Sequence, residues 1–307
     1  MSFDFEGAVA PALNATSGVP PPYMPNYLER KWLETFDNTE YAGMKLALAL
    51  LLWHEFVFFG RFLPYYIMDQ IPYFQKYKIQ DAKPNTPEMY RKCVISVIKS
   101  QLFVQGPLLL LFHRSATWLG MKFLEVPFPS WTTIALSCLF CLVMEDTYHY
   151  FVHRLGHHPA LYKHVHKVHH EFSAPFGIAA EHAHPIEVLV LGQGFFIGPV
   201  LLLLMGVDMH VITMFAWLAL RLVETVDVHA GYDFPWSFHK FIPFWGGAEF
   251  HDYHHMAFVG NYSSSFRYWD WLFGTDQAFE TWKAKQANKK VAAGETPRAG
   301  VPVTKED

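Results

Sequence analysis

Long uncharged stretches set the hydrophobic pattern of this chain and predict membrane-spanning helices. The run from Val188 to Val207 carries no charged residue, and a helix of about 20 apolar residues spans the hydrocarbon core of a bilayer. A second uncharged run extends from Val126 to Met144. The stretches Leu46–Met68 and Ser100–His113 are also apolar, although isolated polar residues interrupt them. The pattern therefore indicates several spans, of which Val188–Val207 is the strongest.

The apolar pattern continues past that strongest run and indicates a helical hairpin. Residues 209–220 are again apolar, so residues 188–226 are predicted to form two spans that turn near Asp208. Polar, histidine-rich stretches lie before and after this hairpin, in residues 145–187 and 229–276. Because a hairpin returns the chain to the side it left, both stretches are expected on one face of the membrane.

The whole sequence divides into one membrane-embedded domain and two tails. Residues 1–43 are polar, acidic and proline-rich and are predicted to be a flexible N-terminal tail. Residues 44–280 form the predicted membrane-embedded domain, and residues 281–307 are predicted to be a charged, disordered C-terminal tail. Basic residues are more frequent after Val228 than in the N-terminal tail, so the positive-inside rule places the histidine-rich face in the cytosol.

Composition and charge narrow the classes of function. The chain is 51% hydrophobic with a formal net charge of −4. No basic stripe with interleaved aromatic residues occurs, so a nucleic-acid partner is not expected. The three cysteines, Cys93, Cys138 and Cys141, offer no disulfide framework, and this usage fits a reducing side of the membrane.

The histidines are the most informative residues in the sequence. All but two of the 18 fall between His149 and His255. His153 and His157 stand four residues apart, which on a helix places them on one face. The pattern H-x-x-H-H occurs twice, as HKVHH and HDYHH. Together the three patterns supply these imidazoles: His153, His157, His166, His169, His170, His251, His254 and His255.

The H-x-x-H-H spacing predicts two metal ions rather than one. On a helix the two adjacent histidines diverge by about 100° around the axis, so they can bind different ions. The imidazoles are also too numerous for one zinc ion, which takes about four ligands. The predicted fold is therefore all-α, with several membrane-spanning helices and a cytosolic, histidine-rich helical cap that holds a dinuclear metal site. Imidazole alone does not select the metal.

Isolated histidines have a simpler interpretation. His54, His113, His210 and His239 stand alone beside aromatic or apolar residues. In such surroundings an imidazole is usually a hydrogen-bonded side chain at an interface. We therefore do not expect these four to bind metal.

Five stretches of the sequence carry a resemblance to a known family. They are EDTYHYFVHRLGHH, LYKHVHKVHHEFSAPFG, AEHAHPIE, RLVETVDVHAGYD and HDYHHMAFVGNYSSSFRYWDWLFGTD. Over residues 44–276 the chain resembles the C-4 methylsterol monooxygenases, within the membrane fatty acid hydroxylase superfamily. The histidine patterns mark only the superfamily, whereas APFG, ETVDVHAGYD and FVGNY make the resemblance to the C-4 enzymes much sharper.

This resemblance implies a multi-pass enzyme of the endoplasmic reticulum membrane whose metal site faces the cytosol. The enzyme would hold two non-haem iron ions on the eight histidines of the three patterns. It would use dioxygen, with electrons from NAD(P)H arriving through a reductase and cytochrome b5. The 4α-methyl group of a sterol would pass through alcohol and aldehyde to a carboxylate, which a separate sterol C-4 decarboxylase would consume.

The resemblance and the spacing also suggest further members of the site. His229 matches a recurring family histidine, and both His229 and His184 are predicted as additional metal ligands; related hydroxylases often carry a histidine where this chain has Thr225. His158, His164 and His182 are predicted not to be ligands. Further side chains are predicted to orient the ligands through hydrogen bonds. The strongest candidates for that role are His149, Glu145, Asp227 and Asp252, followed by Asp146, Glu171 and Glu187.

Two other functions remain compatible with the sequence. The first is a related di-iron hydroxylase or desaturase that acts on another sterol position or on a fatty acyl chain, which product analysis distinguishes. The second is a non-catalytic membrane protein in which the histidines hold structural zinc. Metal analysis together with oxygen uptake distinguishes that protein from an oxygenase.

Overall fold

The computed structural model describes residues 23–36 and 41–292, and helices account for its regular structure. The α-helices are α1 (Tyr27–Phe36), α2 (Ala42–Asp69), α3 (Pro87–Ser100), α4 (Gly106–Trp118), α5 (Trp131–Gly156), α6 (Pro159–Tyr162), α7 (Pro185–Leu191), α8 (Gly194–Leu204), α9 (Val211–Val228), α10 (Gly247–Ala257), α11 (Tyr268–Phe273) and α12 (Gln277–Ala292). Short 3-10 helices cover Pro72–Tyr77, His166–Glu171, Gly177–Glu181 and Phe238–Lys240, and a π-helical turn, Gln101–Gln105, joins α3 to α4. No β-strand occurs within the described ranges, which confirms the predicted all-α fold.

Three helical stretches are long and apolar enough to cross a membrane. They are α2, the continuous stretch Pro87–Trp118, and Pro185–Leu204, in which α7 runs into α8. The strongest predicted span therefore lies in the third stretch. The predicted apolar runs 126–144 and 209–220 fall largely on α5 and α9, which become polar toward their C-terminal ends and are not among these three stretches.

Helices α8 and α9 are the two arms of a hairpin, and each of them packs against α5. The chain reverses through Gly206, whose φ of 76° suits a residue without a side chain. Helix α9 begins after His210, whose Nδ1 accepts a hydrogen bond from the backbone N–H of Ile212 at 3.1 Å. Arg221 of α9 lies 3.1 Å from Glu145 of α5. The polar portions of α5 and α9 therefore lie beside each other.

Two glycines allow α8 to approach α5 closely. A Cβ atom added at Gly194 would lie 2.9 Å from the ring of Tyr148, and one added at Gly198 would lie 2.5 Å from Cα of Cys141. Glycines four residues apart on one helix face are a common way to bring two apolar helices together. Here they place the hairpin directly against the helix that carries the first predicted metal ligands.

We expect Gly198→Ala to destabilise the protein by about 1–3 kcal/mol, because the new methyl group would clash with backbone that cannot move independently. Gly60→Ala in α2 is the matched control, since a Cβ atom there meets nothing within 4 Å, and alanine favours a helix by up to about 1 kcal/mol over glycine. Thermal unfolding in detergent measures both effects. Equal melting temperatures for the two variants would contradict this contact.

Two buried aspartates hold residues 262–266, which follow α10, in place through hydrogen bonds. Oδ1 of Asp146, on α5, accepts hydrogen bonds from the backbone N–H groups of residues 264–266 at 2.7–3.2 Å. Asp270, on α11, accepts from the backbone N–H groups of residues 262–263 at 2.8–2.9 Å. Both carboxylates are buried. The segment is thereby held against α5, which fixes the position of the Tyr262 carbonyl beside the histidines.

The structure describes only parts of the two predicted tails. In the N-terminal one, residues 27–36 form α1, which is anchored by a 2.8 Å hydrogen bond from Trp32 Nε1 to the Phe123 carbonyl. Buried Glu29 accepts the backbone N–H of Phe128 at 2.8 Å. At the other end, α12 continues to Ala292. Residues 1–22, 37–40 and 293–307 of the predicted tails lie outside the described residues.

Candidate metal centre

The structure brings nine histidines into two compact groups. In each group the nitrogen atoms available as ligands lie within 4.8 Å of one another. The first group consists of His153, His157, His166, His170 and His254. The second group consists of His169, His229, His251 and His255.

Consecutive histidines are divided between the two groups. His169 belongs to the second group and His170 to the first, and His255 and His254 are divided in the same way. On α10 this follows from the helical rotation between neighbours. The stretch HKVHH forms a 3-10 helix rather than the α-helix on which the spacing argument relied, yet its two adjacent imidazoles also diverge.

The imidazole nitrogens within each group point at one another. In the first group, Nε2 of His166 lies 3.0 Å from Nε2 of His153 and 3.0 Å from Nε2 of His170. In the second, Nε2 of His229 lies 2.9 Å from Nε2 of His251 and 3.3 Å from Nε2 of His169. Nitrogens bound to a common ion at about 2.1 Å stand about 3.0–3.4 Å apart. The spacing therefore matches that of ligands around one centre.

Backbone carbonyls determine which nitrogen of several histidines carries the proton. The Nδ1–H of His229 donates to the Thr225 carbonyl at 2.7 Å, and that of His169 donates to the His182 carbonyl at 3.1 Å. A carbonyl only accepts, so in each neutral ring Nε2 carries a lone pair. Two such lone pairs face each other across 3.3 Å. They repel unless a cation lies between them, so the donor set fits a metal ion.

The same arrangement holds in the first group. His153 donates through Nδ1 to the Tyr262 carbonyl at 2.7 Å, and His254 donates to the Gly260 carbonyl at 2.6 Å. His166 uses its Nδ1 toward a carboxylate, Oε1 of Glu187, at 2.8 Å. A hydrogen bond at the second nitrogen orients a ligand histidine and fixes its tautomer. The Asp146 and Asp270 contacts described above thus position the His153 ring through the backbone at Tyr262.

Burial keeps the clustered histidines neutral. Loss of hydration lowers the pKa of His157 and of His166 to about 3, and that of His169 to about 4. The pKa values of the other clustered histidines are lowered too, first by burial and then by neighbouring imidazoles: His153, His170, His229, His251, His254 and His255. Neutral imidazole is the form that binds metal.

Other predicted members of the site lie elsewhere or have other partners. His184 is in neither group; its Nδ1 accepts the backbone N–H of Ile186 at 3.2 Å and caps α7. Asp227 binds Arg61 at 2.5–2.8 Å, and Asp252 accepts from Gln80 at 2.8 Å. His149 contacts Glu145 with 3.6 Å between Nδ1 and Oε1.

The sequence does not reveal most of the hydrogen-bond partners of the clustered histidine rings. Backbone carbonyls carry no residue-specific signal, so Thr225, His182, Tyr262 and Gly260 could not be selected in advance. Glu187 could be, because it lies near the histidines in sequence. His182, which we predicted not to be a ligand, contributes its carbonyl and directs its Nε2 toward Glu171 at 3.0 Å.

A third group of potential metal ligands is better described as an ion-pair cluster. Asp233, His239 and Glu249 bring ligand atoms within 4.8 Å of one another. Two lysines already reach the carboxylates: Lys240 Nζ lies 2.9 Å from Asp233, and Lys283 Nζ lies 3.5 Å from Glu249. The lysines supply the positive charge that a metal ion would otherwise bring.

A cavity of about 270 Å³ connects the two histidine groups with the apolar helices. His153 and His166 of the first group, and His169, His229 and His251 of the second, line one part of its wall. Side chains of α4, α7, α8 and α9 supply the apolar wall. The arrangement suits an apolar molecule that presents one end to the metal centre.

Comparison with known proteins points to one group of enzymes. Residues 138–275 match the family model for fatty acid hydroxylases. The chain is 46% identical over 267 residues to methylsterol monooxygenase 1 of Rattus norvegicus, which covers 84% of this chain and 87% of that protein. It is 43% identical over 271 residues to the C-4 methylsterol oxidase erg25 of Schizosaccharomyces pombe, with coverage of 87% and 89%. No solved structure matches the chain.

Proposed function

The chain belongs to the methylsterol monooxygenase family, and from that premise we propose that it oxidises the 4α-methyl group of 4,4-dimethyl- and 4-methylsterols stepwise to a carboxylate. Family membership makes it an oxidoreductase, and its apolar helices fit a membrane protein. The observation that carries the finer proposal is the convergence of nine neutral imidazoles at one end of an apolar cavity.

The nine histidines would hold two iron ions, one in each group. No carboxylate belongs to either group, so the protein would leave the positive charge of the ions largely uncompensated, which favours the ferrous state. Iron bound there would supply the dioxygen chemistry that breaks a methyl C–H bond. The carbonyl-anchored rings would keep the ligand nitrogens in place throughout.

The cavity supports a sterol substrate with its methyl end inward. The cavity has a volume of about 270 Å³, and the ring that bears the methyl group would enter the part that the histidines line. The remaining rings would lie along the apolar helices. Exclusion of water by this apolar wall protects a strong oxidant from side reactions.

Each oxidation step consumes one dioxygen, two electrons and two protons. One oxygen atom enters the substrate and the other leaves as water; in the second step the resulting gem-diol then loses another water to give the aldehyde. We propose NAD(P)H as the electron source, with a reductase and cytochrome b5 as carriers at a cytosolic metal centre in the endoplasmic reticulum membrane. Three steps at the same carbon give alcohol, aldehyde and carboxylate, and a sterol C-4 decarboxylase would take the last of these.

The test uses purified protein, loaded with iron and reconstituted with lipid, an electron-donor system and oxygen. We expect a 4,4-dimethylsterol to become its 4α-carboxylate, with alcohol and aldehyde as transient products and none of them formed without oxygen. Oxidation at a different carbon, or of a fatty acyl chain, would instead identify a related hydroxylase or desaturase. Bound zinc with no oxygen uptake after iron loading would identify a structural metal site.

A further inference from the structure

Two buried carboxylate oxygens belong to cavity-lining residues and have no hydrogen-bond partner among the described residues. They are Oε2 of Glu145 and Oε2 of Glu187. A buried carboxylate oxygen without a donor is costly, because the group has lost hydration without a replacement. Because both residues line the substrate cavity, a small rotation of the carboxylate would turn such an atom toward a donor on the substrate.

The two glutamates differ in what holds them. Oε1 of Glu187 lies 2.8 Å from Nδ1 of His166, so this residue supports the metal centre. Oε1 of Glu145 lies 3.1 Å from Nη2 of Arg221 and 3.6 Å from Nδ1 of His149. The guanidinium favours the charged form of the Glu145 carboxylate and holds it in place. Oε2 of Glu145 is left as an acceptor.

Glu145 lines the same cavity as the histidines beside which the methyl group must react. It lies about two helical turns before His153 on α5. The intervening His149 has its ring centre 5.1 Å from that of His153. In a C-4 methylsterol, the C3 hydroxyl and the C4 methyl group are attached to neighbouring ring carbons. A methyl group presented to the histidines therefore brings the hydroxyl to the same part of the cavity.

We propose that Oε2 of Glu145 accepts a hydrogen bond from the C3 hydroxyl and so turns the 4α-methyl group toward the histidines. This proposal rests on the proposed function and adds a determinant of substrate specificity. A carboxylate only accepts hydrogen bonds, so it binds a hydroxyl and repels a carbonyl oxygen. Glu145 would thus select 3-hydroxysterols over 3-oxosterols, acting by binding and orientation.

The test compares the 3-hydroxy and 3-oxo forms of one 4,4-dimethylsterol in two measurements. The first is their affinity for metal-free protein in lipid nanodiscs, and the second is their rate of oxidation by iron-loaded protein. We expect the unmodified protein to favour the hydroxy form by about 100-fold. Glu145→Gln introduces an amide that also donates, so the preference should fall at least about tenfold, partly through tighter binding of the 3-oxo form. A purely structural role would change both sterols equally and preserve the ratio.

Glu224→Gln is the matched control. Glu224 pairs with the same Arg221 and is as buried as Glu145, with 5% side-chain exposure each. It does not line the cavity. We expect this variant to keep a preference of about 100-fold for the 3-hydroxy form, even if its overall activity falls because the ion pair is weakened.

A measurement on the unmodified protein keeps the proposal testable if Glu145→Gln does not fold. The 3-methoxy form of the sterol cannot donate a hydrogen bond, so we expect it to bind far more weakly than the hydroxy form. Equal binding of these two forms, or an unchanged ratio in Glu145→Gln, overturns the role of Glu145 while C-4 oxidation continues. A protein that oxidises no C-4 methyl group contradicts the proposed function instead.

Discussion

Replacing His169 or His254 by alanine should lower sterol oxidation by more than about a hundredfold. Loss of a residue that merely orients a ligand already costs 10- to 100-fold in metal affinity or activity, and each of these histidines supplies a nitrogen to one of the two groups. Because His169 belongs to the second group and His254 to the first, each variant should lose about half of the bound iron. Product formation and iron per protein chain measure the two effects.

Two exposed histidines provide the controls for that result. His158 and His164 lie in the same histidine-rich stretch, but their side chains are exposed and belong to neither group. Alanine at either position should leave iron content and activity close to those of the unmodified protein. Full activity of a His169→Ala, His254→Ala double variant would eliminate the proposed centre.

The metal-free protein should lose several kcal/mol of stability when the pH falls from 7 to 5. His157, His166 and His169 have folded-state pKa values of about 3, 3 and 4, whereas an unfolded histidine has a pKa of about 6.5. Below pH 6.5 the unfolded chain therefore binds more protons than the folded one. Each such histidine costs about 2 kcal/mol at pH 5, and the loss continues until the pH reaches the folded-state pKa.

Thermal unfolding of chelator-treated protein at several pH values measures this dependence. His169→Asn removes one buried imidazole and should reduce the acid-induced loss by about 2 kcal/mol. His158→Asn, at an exposed position, should leave the pH dependence unchanged. A metal-free protein equally stable at pH 5 and pH 7 would show that the clustered histidines are not kept neutral by burial.

Much of this architecture follows from local sequence patterns. The uncharged run after Val188 predicts a span because a helix of about 20 apolar residues matches the thickness of the bilayer core. His166 and His170 are four residues apart, as are His251 and His255, and the structure places each of these pairs in one group. Both inferences need only the geometry of a single helix. The hairpin then accounts for the meeting of two stretches that are distant along the chain.

The hydrogen-bond partners of the side chains around the histidines depend on packing between distant segments, and the sequence did not predict them. Asp227 lies two residues before His229, yet its carboxylate binds Arg61 on α2, 166 positions away. His184 is close to the histidine patterns in sequence, but its ring serves as the cap of α7. Spacing along the chain identifies which side chains share a helix face. It does not identify the partner that another element presents.

The division of consecutive histidines between the two groups has a mechanical consequence. Neighbouring Cα atoms are joined by a planar peptide unit and stand about 3.8 Å apart. Each histidine group is one half-site. The half-sites are therefore joined covalently by two peptide units, one between His169 and His170 and one between His254 and His255. Bond lengths therefore limit how far the half-sites can move apart, so bending of the membrane helices would move both half-sites together.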